Sequence, residues 1–127
     1  MLRTDFSDLD AWEAVRSAVT RPIGIFKAYV EFLSNPEFDS MTSLQLLTLM
    51  KAGSDHSFIF VVDRVTLSDS EYPILVLDLS DHPGRSFRVI PEEMWAVENN
   101  LSIANMDFAD FADSVDADGV FRGFPMQ

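Results

Sequence analysis

The chain of 127 residues has no cysteine, which removes disulfides, thiolate nucleophiles and cysteine-ligated zinc from consideration and suits a reducing cytoplasm. Glycine is scarce: the five present form neither G-x-G-x-x-G nor a Walker loop, so nucleotide binding has no local signal. No G-x-S-x-G marks a serine nucleophile. Long apolar runs are missing too. "FIFVV" and "ILVL" are far too short to cross a bilayer, and the opening "MLRTDFSDLD" turns acidic where a secretory signal would be apolar. Positive charge is the other shortage, with nine basic residues against 21 acids and a net charge of −12. Nucleic acids and anionic membranes bind through clustered Lys and Arg, so neither is an expected partner.

Apolar residues make up 47% of the sequence and charged residues 24%, an ordinary globular balance with enough material for one core. Residues 1–127 read as a single domain located in the cytoplasm. "LRTDF" predicts a short opening strand. Ser7 or Asp8 then caps a helix over Leu9–Val19, with Leu9, Trp12, Val15 and Val19 on its buried face. "FKAYVEFL" alternates as a half-buried strand. Thr42 and Gln45 make a capping box for a helix through Leu44, Leu47 and Met50 that Gly53 terminates. "SFIFVVDRVTL" and "YPILVLDLS" are apolar on both faces, as central strands are, and "RSFRVI" follows. Their short links predict an antiparallel arrangement. A last helix near Met106–Val115 buries Phe108, Phe111, Ala112 and Val115 opposite Asp107, Asp110 and Asp113. The expectation is an α+β fold (α/β in looser schemes): a mixed sheet of about five strands, the last three an antiparallel meander, with about three helices packed on it.

Candidate chemistry is sparse. The tripeptide Ser-Asp-His occurs at residues 54–56 and again at 80–82, and these are the only histidines. Antiparallel pairing of the two central strands would bring the turns together, and Asp55, His56, Asp81 and His82 could then supply four ligands to a divalent ion. The plainer reading is two solvated turns, because Ser-Asp is a common turn pair and Pro83-Gly84 completes one. Asp63 and Asp78 each interrupt an apolar strand. Facing each other they would form an acid-base dyad, whereas Arg64, Arg85 or Arg88 beside them would make them structural. "SVDADGV" imitates a calcium loop but starts on Ser114 and has Pro125 where the bidentate Glu belongs.

The least periodic stretch is "PEEMWAVENNLSIANMDF". Its asparagines can lock irregular backbone, with Asn105 capping the final helix. Alternatively Met94, Trp95, Glu98, Asn99, Asn100 and Asn105 form a recognition surface, an apolar anchor with a polar rim. Eight acids lie between Glu92 and Gln127 against Arg122 alone, which places −7 of the −12 there.

That stretch, with "LRTDFSDLDAWEAV", "FIFVVDRVTL" and "DFADFADSVDADGVFRGF", resembles a family of small bacterial proteins catalogued only as a domain of unknown function. The resemblance spans nearly the whole chain. It implies a stand-alone bacterial cytosolic protein and carries over no catalytic residue. The favoured expectation is a non-enzymatic, cofactor-free accessory module, inhibitor- or immunity-like, that docks a basic protein partner. The alternatives are a small enzyme or metal-binding protein using the Asp55-His56/Asp81-His82 turns or the Asp63/Asp78 pair, and a homodimer joined through an edge strand or apolar patch.

Overall fold

A computed structural model describes residues 1–51, 56–80, 82–103 and 105–124. Five strands, β1 (Leu2–Arg3), β2 (Phe58–Val62), β3 (Ile74–Asp78), β4 (Ser86–Val89) and β5 (Val120–Phe121), form one mixed sheet in the order β1-β2-β3-β4-β5. The centre is the antiparallel meander β2-β3-β4, and the two-residue strands β1 and β5 flank it in parallel. The class is α+β, as the sequence implied. The helices are α1 (Leu9–Thr20), α2 (Ser43–Lys51), α3 (Arg64–Ser68), α4 (Met94–Ser102) and α5 (Phe108–Ala112), three of them two turns or longer.

Alternation along the strands sorts side chains to two faces. Phe60, Val62, Ile74, Val76, Phe87 and Val89 pack in one cluster with Trp12 and Val15 of α1, Met94 and Val97 of α4, and Phe108 and Phe111 of α5. On the other face Leu2, Val61, Leu75 and Leu77 meet Leu46, Leu47 and Met50 of α2. The sheet is therefore covered on both sides, and this is why "FIFVV" and "ILVLD" are apolar at consecutive positions rather than alternate ones.

Several elements depart from expectation. "FIFVVDRVTL" is not one strand. The Asp63 carboxylate accepts the Thr66 N–H at 3.1 Å and the Thr66 hydroxyl accepts the Asp63 N–H at 3.3 Å, a capping box that ends β2 and starts α3. The Thr66 hydroxyl, fully buried, also reaches the Pro73 carbonyl at 2.8 Å and so anchors the end of the β2–β3 connection. "MWAVENNLS" is a regular helix, α4, although its sequence mixes polar and apolar residues on several sides. On α2, the Thr42–Gln45 capping box forms as expected (2.9 and 3.2 Å), but the buried stripe runs through Leu46 and leaves Leu44 exposed. Gly53, the expected stop, lies outside the described residues.

The segment "FKAYVEFL" keeps its alternation, with Ala28 buried and Val30 and Phe32 packed on the main core, yet it is not a strand. Its neighbouring edge, β1, is only two residues long, and the one bridge to it among the described residues pairs Leu33 with Leu2, with the Leu33 N–H donating to the Met1 carbonyl at 2.9 Å. The sheet's fifth strand is instead β5, near the other end of the chain. After a tight turn closed by mutual Ile23–Phe26 hydrogen bonds, residues 26–34 form a strap that meets β1 at Leu33. No described helix is long and apolar enough to cross a membrane.

Replacing Phe111, which is fully buried against Phe87 and Phe121, by Ala should cost about 3–5 kcal/mol in urea unfolding. Thr66→Val keeps shape but removes both the acceptor of the Asp63 N–H and one donor to the Pro73 carbonyl, and should cost about 1–3 kcal/mol in the same measurement.

Candidate functional site

The two mid-sheet aspartates prove to be far apart. In the β2–β3 register Phe58 faces Asp78, whereas Asp63 follows the other end of β2. Five residues of extended chain separate those ends by about 16 Å, so no dyad forms. Each has its own arginine. Asp63 takes a bidentate pair from Arg88 at 2.9 and 2.8 Å. Burial alone would raise its pKa, but the bonds from Arg88 and Thr66 outweigh that and hold the carboxyl below its ordinary 3.8. Asp78, 2% exposed, organises the turn after β3 by accepting the Ser80 N–H at 3.0 Å, the His82 N–H at 3.1 Å and Arg85 at 3.4 Å. Ser80 and His82 of the second Ser-Asp-His copy are thus both held by one buried carboxylate.

The antiparallel pairing does bring His56, before β2, and His82, after β3, to one end of the sheet, with Leu79 N–H bonded to the Ser57 carbonyl at 2.9 Å. His56 and His82 are both exposed, and Asp55 and Asp81 lie outside the described residues. Among the described residues, no group of three or more His, Cys, Asp or Glu is arranged to hold a metal ion.

A groove of about 870 Å³ opens where the parallel strands β1 and β2 end, bordered by Asp5, Asp8, Asp39, Asp63 and Arg64. Its acids are largely committed to local structure. Asp5 is held below its ordinary value chiefly by the hydroxyl and N–H of Ser7, and Asp8 caps α1 through the Ala11 N–H at 3.0 Å. Asp63 is paired as described above.

The polar stretch of α4 resolves residue by residue. Met94 is fully buried in the core, and Trp95 stacks on Phe26 of the strap with ring centroids 4.2 Å apart. Asn99 Nδ2 donates to the Trp95 carbonyl at 2.6 Å and to the Lys27 carbonyl of the strap at 3.3 Å. Asn100 donates to the Ala96 carbonyl at 2.8 Å and its Oδ1 accepts Asn105 Nδ2 at 2.8 Å, which ties the loop back onto the helix. Asn105 therefore does not cap α5. That cap is Asp107, whose N–H reaches the Asp110 carboxylate at 2.8 Å. Four of the six residues singled out in the sequence are thus accounted for by packing and backbone locking, and Met94 by the core.

Glu98 differs from the other five. It is only 7% exposed, its Oε1 accepts the Tyr29 N–H of the strap at 2.7 Å, and its Oε2 accepts the Ser102 hydroxyl at 3.3 Å. It also borders a hollow of about 460 Å³ lined by Met1 and Leu2, the strap, the first residues of β2, the end of α2 and α4. Val30, Met50, Phe58 and Phe60 wall this hollow, with His56 at its margin. The hollow was invisible in the sequence because its walls come from five separate segments. The one hint was a glutamate on a helix that otherwise offers amides.

The Asp63–Arg88 contribution is present above the unfolded carboxyl value and is lost as pH falls below it, since the folded pKa is the depressed one. The stability gap between the native chain and Asp63→Asn, from denaturant unfolding, should be widest near neutrality and close below about pH 4. Glu98→Ala should speed hydrogen exchange at the Tyr29 amide, whereas Glu98→Gln, which keeps an acceptor there, should leave it protected.

No curated protein matches this chain. A family model does, over residues 1–124, which is nearly its full length. The strands, helices and strap described above are all contained in that span, and the chain belongs to the family described as a domain of unknown function, DUF6924.

Proposed function

We propose that this chain is a non-enzymatic protein-binding accessory module, inhibitor- or immunity-like, acting in a bacterial cytoplasm on a partner with a basic surface. The observation that carries the reading is the placement of its acids. Asp107, Asp110 and Asp113 all stand exposed at α5, opposite the buried Phe108 and Phe111. Next to β5, Arg122 is engaged by three carboxylates at once, Glu71 at 2.9 Å and Asp116 and Asp118 at 2.8 Å. These bonds raise its pKa and keep Glu71 and Asp118 ionised by lowering theirs. The only cation between Glu92 and Phe124 is therefore internally neutralised, and the exposed aspartates of α5 present unbalanced negative charge. Such a face speeds encounter with a positive patch and discriminates against acidic competitors. The cysteine-free sequence supports the cytoplasmic part of the reading.

The test is affinity capture from native bacterial lysate with the intact chain and with the double variant Asp110→Asn/Asp113→Lys, in which the new amide at position 110 still offers the Asp107 N–H an oxygen. A basic protein should be retained at about 0.05 M salt and released by about 0.5 M, where screening shortens to a few ångströms. The variant should retain several-fold less of it. Retention of nothing basic, or retention indifferent to both salt and the variant, removes the proposal.

A further inference from the structure

We propose that the hollow beside Glu98 is a binding site for a small organic ammonium ion, an amine carried on a compact aromatic or branched apolar body, with the Glu98 carboxylate as its counter-charge. The site is independent of a basic protein partner, since it depends on Glu98 and not on the exposed aspartates of α5.

Among the described residues Glu98 has no ion-pair partner. It is 7% exposed, and no Lys, Arg or His nitrogen of a described residue comes within 4.0 Å of its carboxylate. The other strongly buried carboxylate, Asp78, has Arg85, and the half-buried Asp63 has Arg88. A carboxylate removed from water is costly unless it is paired, and two neutral donors, the Tyr29 N–H and the Ser102 hydroxyl, meet only part of its acceptor capacity. The bond to Tyr29 explains why an acceptor is needed here. It does not explain why that acceptor carries a full charge, because glutamine would serve the strap equally well.

The hollow supplies what the charge implies. Its volume of about 460 Å³ lies in the range of small-molecule sites. Phe58 and Phe60, edge to face at 5.4 Å, and Tyr29 at the mouth offer aromatic surface to a cation and its apolar body. A bare metal ion would find Glu98 as the one buried carboxylate, and no group of three His, Cys, Asp or Glu among the described residues is arranged to hold it. An anion would meet Glu98, Glu31 at the margin and a chain of net charge −12. A neutral ligand would leave the carboxylate both dehydrated and unpaired. An alkylammonium with an apolar body satisfies charge and walls together. The ionisable groups that face the ligand space are Glu98, Glu31, His56, Tyr29 and the Met1 amine, the last pushed down to about 6 by burial.

The experiment titrates 2-phenylethylammonium, 2-phenylethanol and phenylacetate into the full chain and follows backbone amide signals. The amine should give saturable shifts at Tyr29, Phe58 and Ser102, the isosteric alcohol should bind at least about tenfold more weakly, and phenylacetate should not bind. Glu98→Gln, which retains the oxygen that holds the Tyr29 N–H, should bind amine and alcohol alike. Val30→Phe, which narrows the hollow without touching the charge, should weaken both ligands and keeps the test open if Glu98→Gln fails to fold. Equal binding of amine and alcohol by the native chain, shifts scattered over the acidic surface with none at the hollow, no saturation by about 10 mM, or an unchanged amine preference in Glu98→Gln would each overturn the assignment.

Discussion

A peptide segment that cannot join a sheet must still find partners for its N–H and C=O groups, and this requirement shapes the most distinctive part of the molecule. Residues 26–33 have the alternation of a strand, but the edge they approach is two residues long and accommodates one bridge among the described residues. Further backbone bonds come from side chains of α4: Glu98 accepts from Tyr29, and Asn99 donates to the Lys27 carbonyl. A helix thus takes over part of the role of a neighbouring strand. The Trp95–Phe26 stack adds apolar contact to the same union. Covering the β1 edge in this way also removes an open template for strand pairing with another chain.

That substitution produces the hollow. Side chains reach less evenly than a ladder, so the strap stands off the start of β2 and leaves space bounded by Glu98. The polar stretch around α4 therefore combines two roles, holding irregular backbone in place and presenting one charge to a cavity. The acidic face of α5 is a separate feature with a separate logic. Its helix buries two phenylalanines inward and exposes three aspartates outward, and nothing in that periodicity depends on the strap.

Arginine placement follows one pattern across the sheet. Arg88 on β4 reaches across the meander to Asp63 at the end of β2, Arg85 meets Asp78 at the opposite end, and Arg122 gathers three acids beside β5. Arg3 is the exception: it is 8% exposed and has no carboxylate within 4.0 Å among the described residues. Its guanidinium lies over Phe6 at 4.2 Å and Trp12 at 5.1 Å and donates to Ser34 at 3.1 Å. Aromatic faces can shelter a weakly hydrated guanidinium where they could not shelter a carboxylate. This contrast makes the solitary burial of Glu98 the more informative of the two.

The one-dimensional signal determined the elements that rest on local periodicity and capping chemistry. The helix expected over Leu9–Val19 (with Trp12, Val15 and Val19 buried as read, but Leu9 exposed), the Thr42–Gln45 box, the apolar meander strands and the amphipathic final helix were legible, because each is specified by residues within a few positions of one another. The chain's acidity, too, needed no coordinates. Tertiary structure decided what depends on competition between distant segments. Whether "FKAYVEFL" becomes a strand turns on the length of a neighbouring edge, and whether "DRVTL" extends β2 turns on Thr66 finding the Pro73 carbonyl. The partner of Asp63 was decided by Arg88, 25 positions away, once the meander had folded. The Glu98 hollow is the furthest from sequence, since five segments must assemble before its wall exists. Periodicity records which side chains share a face of one element; only packing records what that face meets.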